Sequence, residues 1–184
     1  DILSLIEELV TGMVAEVAGK PITHQPFPRL SHAEALERFG TDRPDLRFGL
    51  ELVDLSVIAA RSDFRVFTAA LEAGGRVRAL VAPGCGGYSR REIGELEAIA
   101  AEAGAKGLAT VAIEPDGSPK SSIAKFFSEE LMAGLIAAAR AQPGDLILMV
   151  ADQPPVVNEA LSALRTEFGR RLQLANSGDR KSVG

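Results

Sequence analysis

The stretch Leu146-Ile-Leu-Met-Val150 decides the fold, because it is an unbroken apolar run bounded by turn and helix signals. A run of this kind predicts a strand that is buried on both faces. Pro155 suits the first turn of a helix, and apolar residues then recur along one helix face. These residues are Val157, Ala160, Leu161, Leu164 and Phe168. The C-terminal part of the chain therefore predicts a buried strand followed by a long amphipathic helix.

Upstream of this strand, the sequence predicts three more strands and a helix. Residues 64–68 alternate apolar and polar side chains and residues 77–81 continue as a strand, so we expect a β-hairpin that turns at Ala73-Gly-Gly-Arg76. Ser89 and Glu92 form a capping box that opens a helix, and Gly104 follows its end. Residues 108–113 form the next predicted strand.

The segment between residues 113 and 146 predicts a helical excursion. It contains one helical turn over residues 123–127 and a helix that Ser128 caps. The elements together predict the α+β class: a two-layer sandwich with a β-β-α-β-β-α core and a helical insertion between the last two strands. In this arrangement one sheet carries its helices on one face.

The first part of the chain predicts a helix and a linker. Residues 2–18 have apolar side chains at helical spacing, with Asp1 as the expected cap and Gly19 and Pro21 as the stop. Residues 21–28 carry three prolines and predict an extended linker.

A second short helix and a loop follow the linker. Ser31 and Glu34 give another capping box, and Gly40 ends that helix. Residues 41–48 predict an exposed loop and residues 52–54 a short extended run. The polar tail, residues 175–184, has no periodicity; we expect it to be non-native or disordered and exclude it from the fold.

The composition limits the classes of function. The chain has 184 residues, 46% of them hydrophobic, a mean hydropathy of +0.11 and no apolar run long enough to cross a membrane. One cysteine and the absence of a secretory leader favour the cytoplasm. A net charge of −5 argues against a strong autonomous nucleic-acid module and against DNA binding, but local basic patches remain compatible with it.

Two segments with basic residues are candidate contacts for RNA. The loop Gly84-Cys-Gly-Gly-Tyr-Ser89 leads into a helix N-terminus, where free N–H groups with Arg90 and Arg91 would suit a phosphate; an ordinary strand-to-helix turn is the competing interpretation. Lys125 beside two phenylalanines is a second candidate contact, with a solvated lysine as the alternative. Cys85 and the two histidines lack catalytic or metal-ligand spacing.

A third candidate is the charged loop that contains Arg43 and Arg47. It predicts either a domain junction that positions the following domain or a contact with RNA. The alternative is a solvated loop whose ion pairs each contribute less than about 1 kcal/mol. Pro44 and Phe48 indicate a fixed, packed shape in either case.

Five blocks in order resemble the bacterial-type aspartyl-tRNA synthetase family. They are Phe27-Pro-Arg-Leu-Ser-His-Ala-Glu-Ala35, Asp42-Arg-Pro-Asp-Leu-Arg-Phe-Gly-Leu-Glu-Leu52, Ala105-Lys-Gly-Leu-Ala109, Ile123-Ala-Lys-Phe-Phe127 and Asn158-Glu-Ala-Leu-Ser-Ala-Leu-Arg165. Residues 57–174 resemble the GAD domain that is inserted in these enzymes. Residues 1–56 resemble part of the class II catalytic domain with a linker.

The resemblance implies an internal section of a homodimeric ligase that activates aspartate with ATP and Mg²⁺ and transfers it to tRNA. The second and third class II motifs have no counterpart here, so no catalytic, cofactor-binding or metal-binding residue is carried over. We expect the section to be inactive alone and to bind no cofactor. Its inserted domain would have a structural or tRNA acceptor-side role.

Two other classes of function compete with this interpretation. The GAD domain also resembles a module in the B subunit of the tRNA-dependent amidotransferase, which would make the chain a binding module without ligase chemistry. Residues 27–52 argue against that, because they resemble the synthetase alone. A metabolite-binding regulatory domain is the third class, and the lack of a convergent charged cluster disfavours it.

Overall fold

A computed structural model describes residues 2–18, 22 and 25–176. The predicted cap Asp1, the stop at Gly19 and Pro21, His24 and the tail from residue 177 onward lie outside the described residues. The chain divides into two compact units, Asp1–His32 and Ala33–Gly184. We describe each unit by itself.

The first unit contains the predicted N-terminal helix. The α-helix α1 (Ile2–Met13) continues into one turn of π-helix (Val14–Ala18), so the predicted range 2–18 is confirmed. The segment after it is bound back to α1: the Phe27 N–H donates to Glu7 Oε1 (2.5 Å), and Gln25 Nε2 donates to Thr11 Oγ1 (3.1 Å). None of the side chains of α1 is buried.

The second unit is built on a five-stranded antiparallel sheet. Its strands are β1 (Val53–Asp54), β2 (Arg76–Ala82), β3 (Ala109–Ile113), β4 (Pro119–Lys120) and β5 (Leu146–Asp152). Their spatial order is β1-β2-β5-β3-β4, and β2 pairs with β5 along its whole length, from Arg76 opposite Asp152 to Ala82 opposite Leu146. The predicted strand at residues 146–150 is therefore the central strand.

In the described residues of this unit, six α-helices accompany the sheet. They are α2 (His32–Phe39), α3 (Ser56–Ala59), α4 (Arg65–Glu72), α5 (Arg90–Glu102), α6 (Glu129–Ala139) and α7 (Pro154–Arg171), with a 3-10 turn at Ala124–Phe126 and another at Leu174–Asn176. The capping box of Ser89 and Glu92 and the Ser128 cap are confirmed. Helix α7 begins one residue before the predicted Pro155, with Gln153 as its N-cap.

The predicted two-layer sandwich is wrong, because helices cover both faces of the sheet. In β5, Ile147 and Met149 pack into one core cluster with residues of α3, α4 and α6. The alternate residues Leu148 and Val150 pack into a second cluster with residues of α5 and α7. Successive side chains of a strand point to opposite faces of the sheet. The unbroken apolar run is therefore explained by helices that cover both faces.

The predicted strand at residues 64–68 is also wrong, and with it the β-hairpin. This segment begins α4, in which Phe67 is buried and Val66 is 56% exposed. Five alternating residues were too few to decide the period, whereas Phe64, Phe67 and Leu71 repeat at helical spacing and all pack on one core cluster. The class is nevertheless α+β, as predicted. In the described part of the chain, no helix combines the length and apolar character needed to span a membrane.

Candidate functional site

The most elaborate polar site in the described residues is built on Arg165. This residue lies in the apolar stripe of α7 and is only 2% exposed. Its Nη2 donates to the carbonyl oxygens of Asp45 (2.7 Å), Phe48 (3.0 Å) and Gly49 (2.9 Å), and its Nε donates to that of Leu50 (3.1 Å). One side chain therefore fixes the backbone of residues 45–50.

Two aromatic rings complete the surroundings of the Arg165 guanidinium. Its central carbon lies 4.7 Å from the centre of the Phe39 ring and 4.4 Å from that of the Phe48 ring. Burial lowers the pKa of Arg165, and the charges of Asp45 and Glu51 oppose that effect. Because arginine stays protonated in proteins, these contacts are charge-assisted hydrogen bonds and cation–π interactions.

A second buried arginine holds the end of α2. Arg78 on β2 is 2% exposed and donates through Nη1 to Asn158 Oδ1 (2.9 Å) and to the Leu36 carbonyl (3.3 Å), and through Nη2 to the Glu37 carbonyl. The last carbonyl groups of a helix lack intrahelical donors and form the negative end of its dipole. The guanidinium group of Arg78 supplies both the donors and the compensating charge.

Two glycines allow close packing around these arginines. A Cβ atom on Gly169 would lie 2.5 Å from the Phe48 ring, and one on Gly40 would lie 2.6 Å from the Asn158 carbonyl oxygen. Gly40 also has φ +73°, a conformation that favours glycine. We use the term "junction" for Arg78, Arg165, Asn158 and Gly169 together with residues 36–50, which they hold.

The junction can hold a polypeptide backbone, but it offers no chemistry for a reaction. Its contacts are hydrogen bonds from guanidinium groups to carbonyl oxygens and the packing of a guanidinium group on ring faces. In the described ranges, no group of three or more His, Cys, Asp or Glu residues is placed to bind a metal ion. Cys85 is buried and free, and burial raises the pKa of its thiol, which disfavours the reactive thiolate.

The structure brings two of the predicted residues to the junction. Arg43 and Arg47 lie in the loop that Arg165 holds, and both are exposed. Arg47 Nη2 forms an ion pair with Asp45 Oδ2 at 2.6 Å, and this bond lowers the pKa of Asp45. The loop has the packed shape that Pro44 and Phe48 indicated. Contact of its arginines with RNA remains a prediction.

The remaining predicted residues lie on other elements. Arg90 and Arg91 are exposed at the start of α5, where Arg91 pairs with Glu95 at 3.8 Å. The carboxylate of Glu92 already accepts from the Ser89 N–H (2.8 Å), so this helix start carries its own anion. In the preceding loop, the Gly84 and Gly86 N–H groups donate to Asp145 Oδ1 and the Gly144 carbonyl. These bonds favour the strand-to-helix turn over a phosphate site.

Lys125 is exposed on the 3-10 turn, with its Nζ 5.0 Å from the centre of the Phe126 ring. It shares no element with Arg43, Arg47, Arg90 or Arg91, so the five candidates do not belong to one local motif.

Sequence reasoning missed Arg78 and Arg165 as site residues. Both carried a signal: Arg78 interrupts an apolar strand, and Arg165 lies among Leu161, Leu164 and Phe168 on the apolar face of a helix. A charge at such a position is seldom buried without partners. Most of their hydrogen-bond acceptors are main-chain carbonyl groups, which any residue supplies, so the sequence does not indicate where these acceptors come from.

Comparison with known proteins places this chain in a family. The GAD domain family matches residues 67–161. The chain is 51% identical over 174 residues to an aspartate–tRNA(Asp/Asn) ligase of Moorella thermoacetica, with 95% of this chain and 29% of the relative covered. It is 48% identical over 179 residues to the ligase of the same name from Symbiobacterium thermophilum (97% and 30% covered), and 51% identical over 176 residues to that of Rubrobacter xylanophilus (96% and 29%).

The chain thus spans about 30% of the length of these curated relatives. The domain match includes the strand that carries Arg78 and the start of α7 as far as Leu161, whereas Arg165, Gly169 and residues 36–50 lie outside it. Because the match extends over more than half of the sequence, the chain belongs to the GAD domain family.

Proposed function

We propose that this chain is a section of an aspartate–tRNA ligase, in which residues 1–56 belong to the class II catalytic domain and residues 57–174 form the inserted GAD domain. Similarity to ligases along 95% or more of the chain supports the proposal. The parent would activate aspartate with ATP and Mg²⁺ and transfer it to tRNA as a cytoplasmic homodimer. The similar proteins named above are ligases, which favours this parent over the amidotransferase module.

The second and third class II motifs have no counterpart in the sequence, and in the described residues no group of three or more His, Cys, Asp or Glu residues is placed to hold a metal ion. We therefore assign nucleotide chemistry to other parts of the parent and derive no step through it. This section contributes the positioning of the GAD domain, and the junction is the observation that supports this conclusion.

We propose that the junction makes the GAD domain and the segment leading into it one rigid piece. A domain on a flexible linker needs few contacts with the chain that carries it. Here two buried guanidinium groups, on β2 and α7, bind the backbone of residues 36–50 directly. We propose that this rigidity fixes the GAD domain for a structural or tRNA acceptor-side role.

Helix α1 is consistent with a larger parent. It exposes Ile2 (75%), Leu5 (67%) and Leu9 (62%), which recur at helical spacing. A helix with such a face gains most of its stability from a surface that covers the face. In the proposed parent, the rest of the catalytic domain would supply that surface.

The two half-reactions of the parent test the proposal. A ligase from which residues 57–174 have been deleted should lose tRNA charging more strongly than aspartate-dependent exchange of pyrophosphate into ATP. The reason is that adenylate formation needs only the catalytic motifs, whereas charging needs the acceptor end of tRNA in place. Equal loss of both activities would contradict the positioning role, and absence of aspartate activation in the intact parent would refute the ligase.

A further inference from the structure

A groove on the GAD domain is separate from the junction. It lies between α4, the start of β3, the end of β5 and the 3-10 turn, and its volume is about 750 Å³. Pockets for small organic ligands have volumes of roughly 300–1,000 Å³. We propose that this groove binds an unpaired nucleotide at the end of an RNA strand, with the base against its phenylalanine rings and the phosphate at Lys125. That the RNA is a tRNA rests on the function proposed above.

The floor of the groove suits a flat, apolar ring. Phe64 and Phe126 line it, are half-buried, and have ring centres 5.2 Å apart with their planes inclined by 34°. Phe67 meets Phe64 edge-on at 4.8 Å and closes the bottom. Val66, also in the lining, is 56% exposed. Aromatic side chains of this kind serve as stacking platforms for single-stranded nucleic acids.

The rim of the groove carries positive charge, although the chain has a net charge of −5. Lys106 is 85% exposed and pairs with Asp152 at 3.3 Å, so its charge is partly compensated. Lys125 Nζ lies 5.0 Å from the Phe126 ring centre, and among the described residues no carboxylate oxygen comes within 4 Å of it. A phosphate would therefore find an uncompensated cation next to an aromatic surface.

An occupant that matches both the rings and Lys125 combines a flat ring with a negative charge, as a nucleotide does. Phosphate contacts supply binding that is independent of sequence, and stacking supplies preference for unpaired bases. A base-paired strand keeps its bases within the helix and cannot place one against Phe64 and Phe126. The groove therefore discriminates an unpaired end from a blunt duplex.

Fluorescence anisotropy with the 184-residue chain at low salt tests the proposal. The probes are a 5′-labelled single-stranded RNA hexanucleotide, the same strand in a blunt duplex, and the same strand with an abasic terminal nucleotide. We expect the single strand to bind about tenfold more tightly than the other two, since stacking of one base contributes about this factor.

Matched variants locate the binding. Lys125→Glu and Val66→Glu each place a carboxylate in the groove, and both should weaken binding of the single strand about tenfold. Lys120→Glu and Val57→Glu are the controls: these residues are 78% and 81% exposed and do not line the groove, so binding should change less than about twofold.

The result that overturns the proposal is equal binding of the three probes, equal effects in the groove and control variants, or no effect in the groove variants. Competition by an acidic, apolar peptide without any RNA binding would also overturn it, in favour of a protein partner. The two proposals fail separately. If the groove variants weaken RNA binding but the parent cannot activate aspartate, the RNA site is supported and the ligase is refuted. If the parent is an active ligase but the groove variants do not change RNA binding, the ligase is supported and the RNA site is refuted.

Discussion

The guanidinium group of Arg165 lies out of water, and main-chain carbonyl groups and ring faces stabilise it. Its hydrogen bonds go to residues 45–50, and Phe39 and Phe48 lie on its faces. Breaking the contacts of a buried charge usually lowers the free energy of unfolding by several kcal/mol, because the guanidinium group or its acceptors are then buried without hydrogen bonds. The planar, forked guanidinium is the side chain best suited to several carbonyl oxygens at once.

Substitution of Arg165 should therefore destabilise the fold strongly. We expect Arg165→Met to lower the free energy of unfolding by about 3 kcal/mol, because the carbonyl groups lose their donors. Arg165→Lys keeps the charge, but its ammonium group cannot span the same acceptors, so we expect a loss of about 2 kcal/mol. Urea denaturation of each variant measures these values.

The matched control is Arg47→Ala, which removes a largely exposed arginine from the same loop. Surface ion pairs contribute less than about 1 kcal/mol, so this variant should unfold close to the unsubstituted chain. An Arg165→Met variant no less stable than Arg47→Ala would show that the buried hydrogen bonds do not hold the loop.

At the scale of elements, helix α7 connects the sheet to residues 36–50. One face of the helix packs closely against that segment. Gly169 lies under the Phe48 ring on that face. A methyl group there would have to displace the ring, and overpacking of a core costs about 1–3 kcal/mol. Glycine in a helix is otherwise unfavourable by about 1 kcal/mol relative to alanine. Its presence at position 169 is thus explained by packing.

A pair of glycine-to-alanine substitutions tests this explanation. Gly169→Ala should lower the free energy of unfolding by up to about 2 kcal/mol, because the new Cβ would lie 2.5 Å from the Phe48 ring and the cost of overpacking outweighs the gain of about 1 kcal/mol in helix propensity. Gly134→Ala in α6 should raise it by about 0.5–1 kcal/mol, because nothing lies within 4 Å of a Cβ there and only the helix propensity changes. Thermal and urea unfolding measure both. The same sign for the two substitutions would contradict the packing argument.

The elements differ in how well their sequences predicted them. Helix α7 was predictable because its apolar stripe extends over several turns, and the starts of α5 and α6 because serine caps give a local signal. Residues 64–68 were not, because five residues satisfy both the strand and the helix period. The arrangement of the layers could have been predicted from the sequence. The apolar run of β5 indicates that both faces of the sheet are covered, which contradicts a two-layer sandwich.

For the whole molecule, the candidate site was predictable only in part. The charged loop around Arg43 and Arg47 marked the region, and Phe48 indicated that the loop is packed. The arginines that hold the segment come from β2 and α7, at least 28 residues away from it in sequence, and bind carbonyl oxygens that every residue carries. Long-range contacts to the backbone leave no pattern in the sequence, so the partners of these two arginines could not be predicted from it.

The junction makes a prediction for the proposed parent ligase that differs from simple loss of stability. With Arg165→Met, the GAD domain should remain folded at an assay temperature well below its unfolding midpoint, but residues 45–50 should no longer be fixed to it. We expect kcat/KM for tRNA charging to fall about tenfold, because a misplaced binding surface is costly to a positioned reaction. Aspartate-dependent pyrophosphate exchange should stay within about twofold, since adenylate formation does not use this surface.

Two controls separate positioning from stability in that experiment. Lys120→Ala removes a largely exposed cation from β4, outside the junction and away from the predicted RNA contacts, and should leave both activities unchanged. Gly169→Ala disturbs the packing of Phe48 on α7, so it should reduce charging in the same direction as Arg165→Met if the orientation of the loop is what matters. If tRNA charging and pyrophosphate exchange fall equally in Arg165→Met, the junction supports folding of the whole enzyme. If neither Arg165→Met nor Gly169→Ala changes the rate of charging, the parent does not depend on a rigid GAD domain.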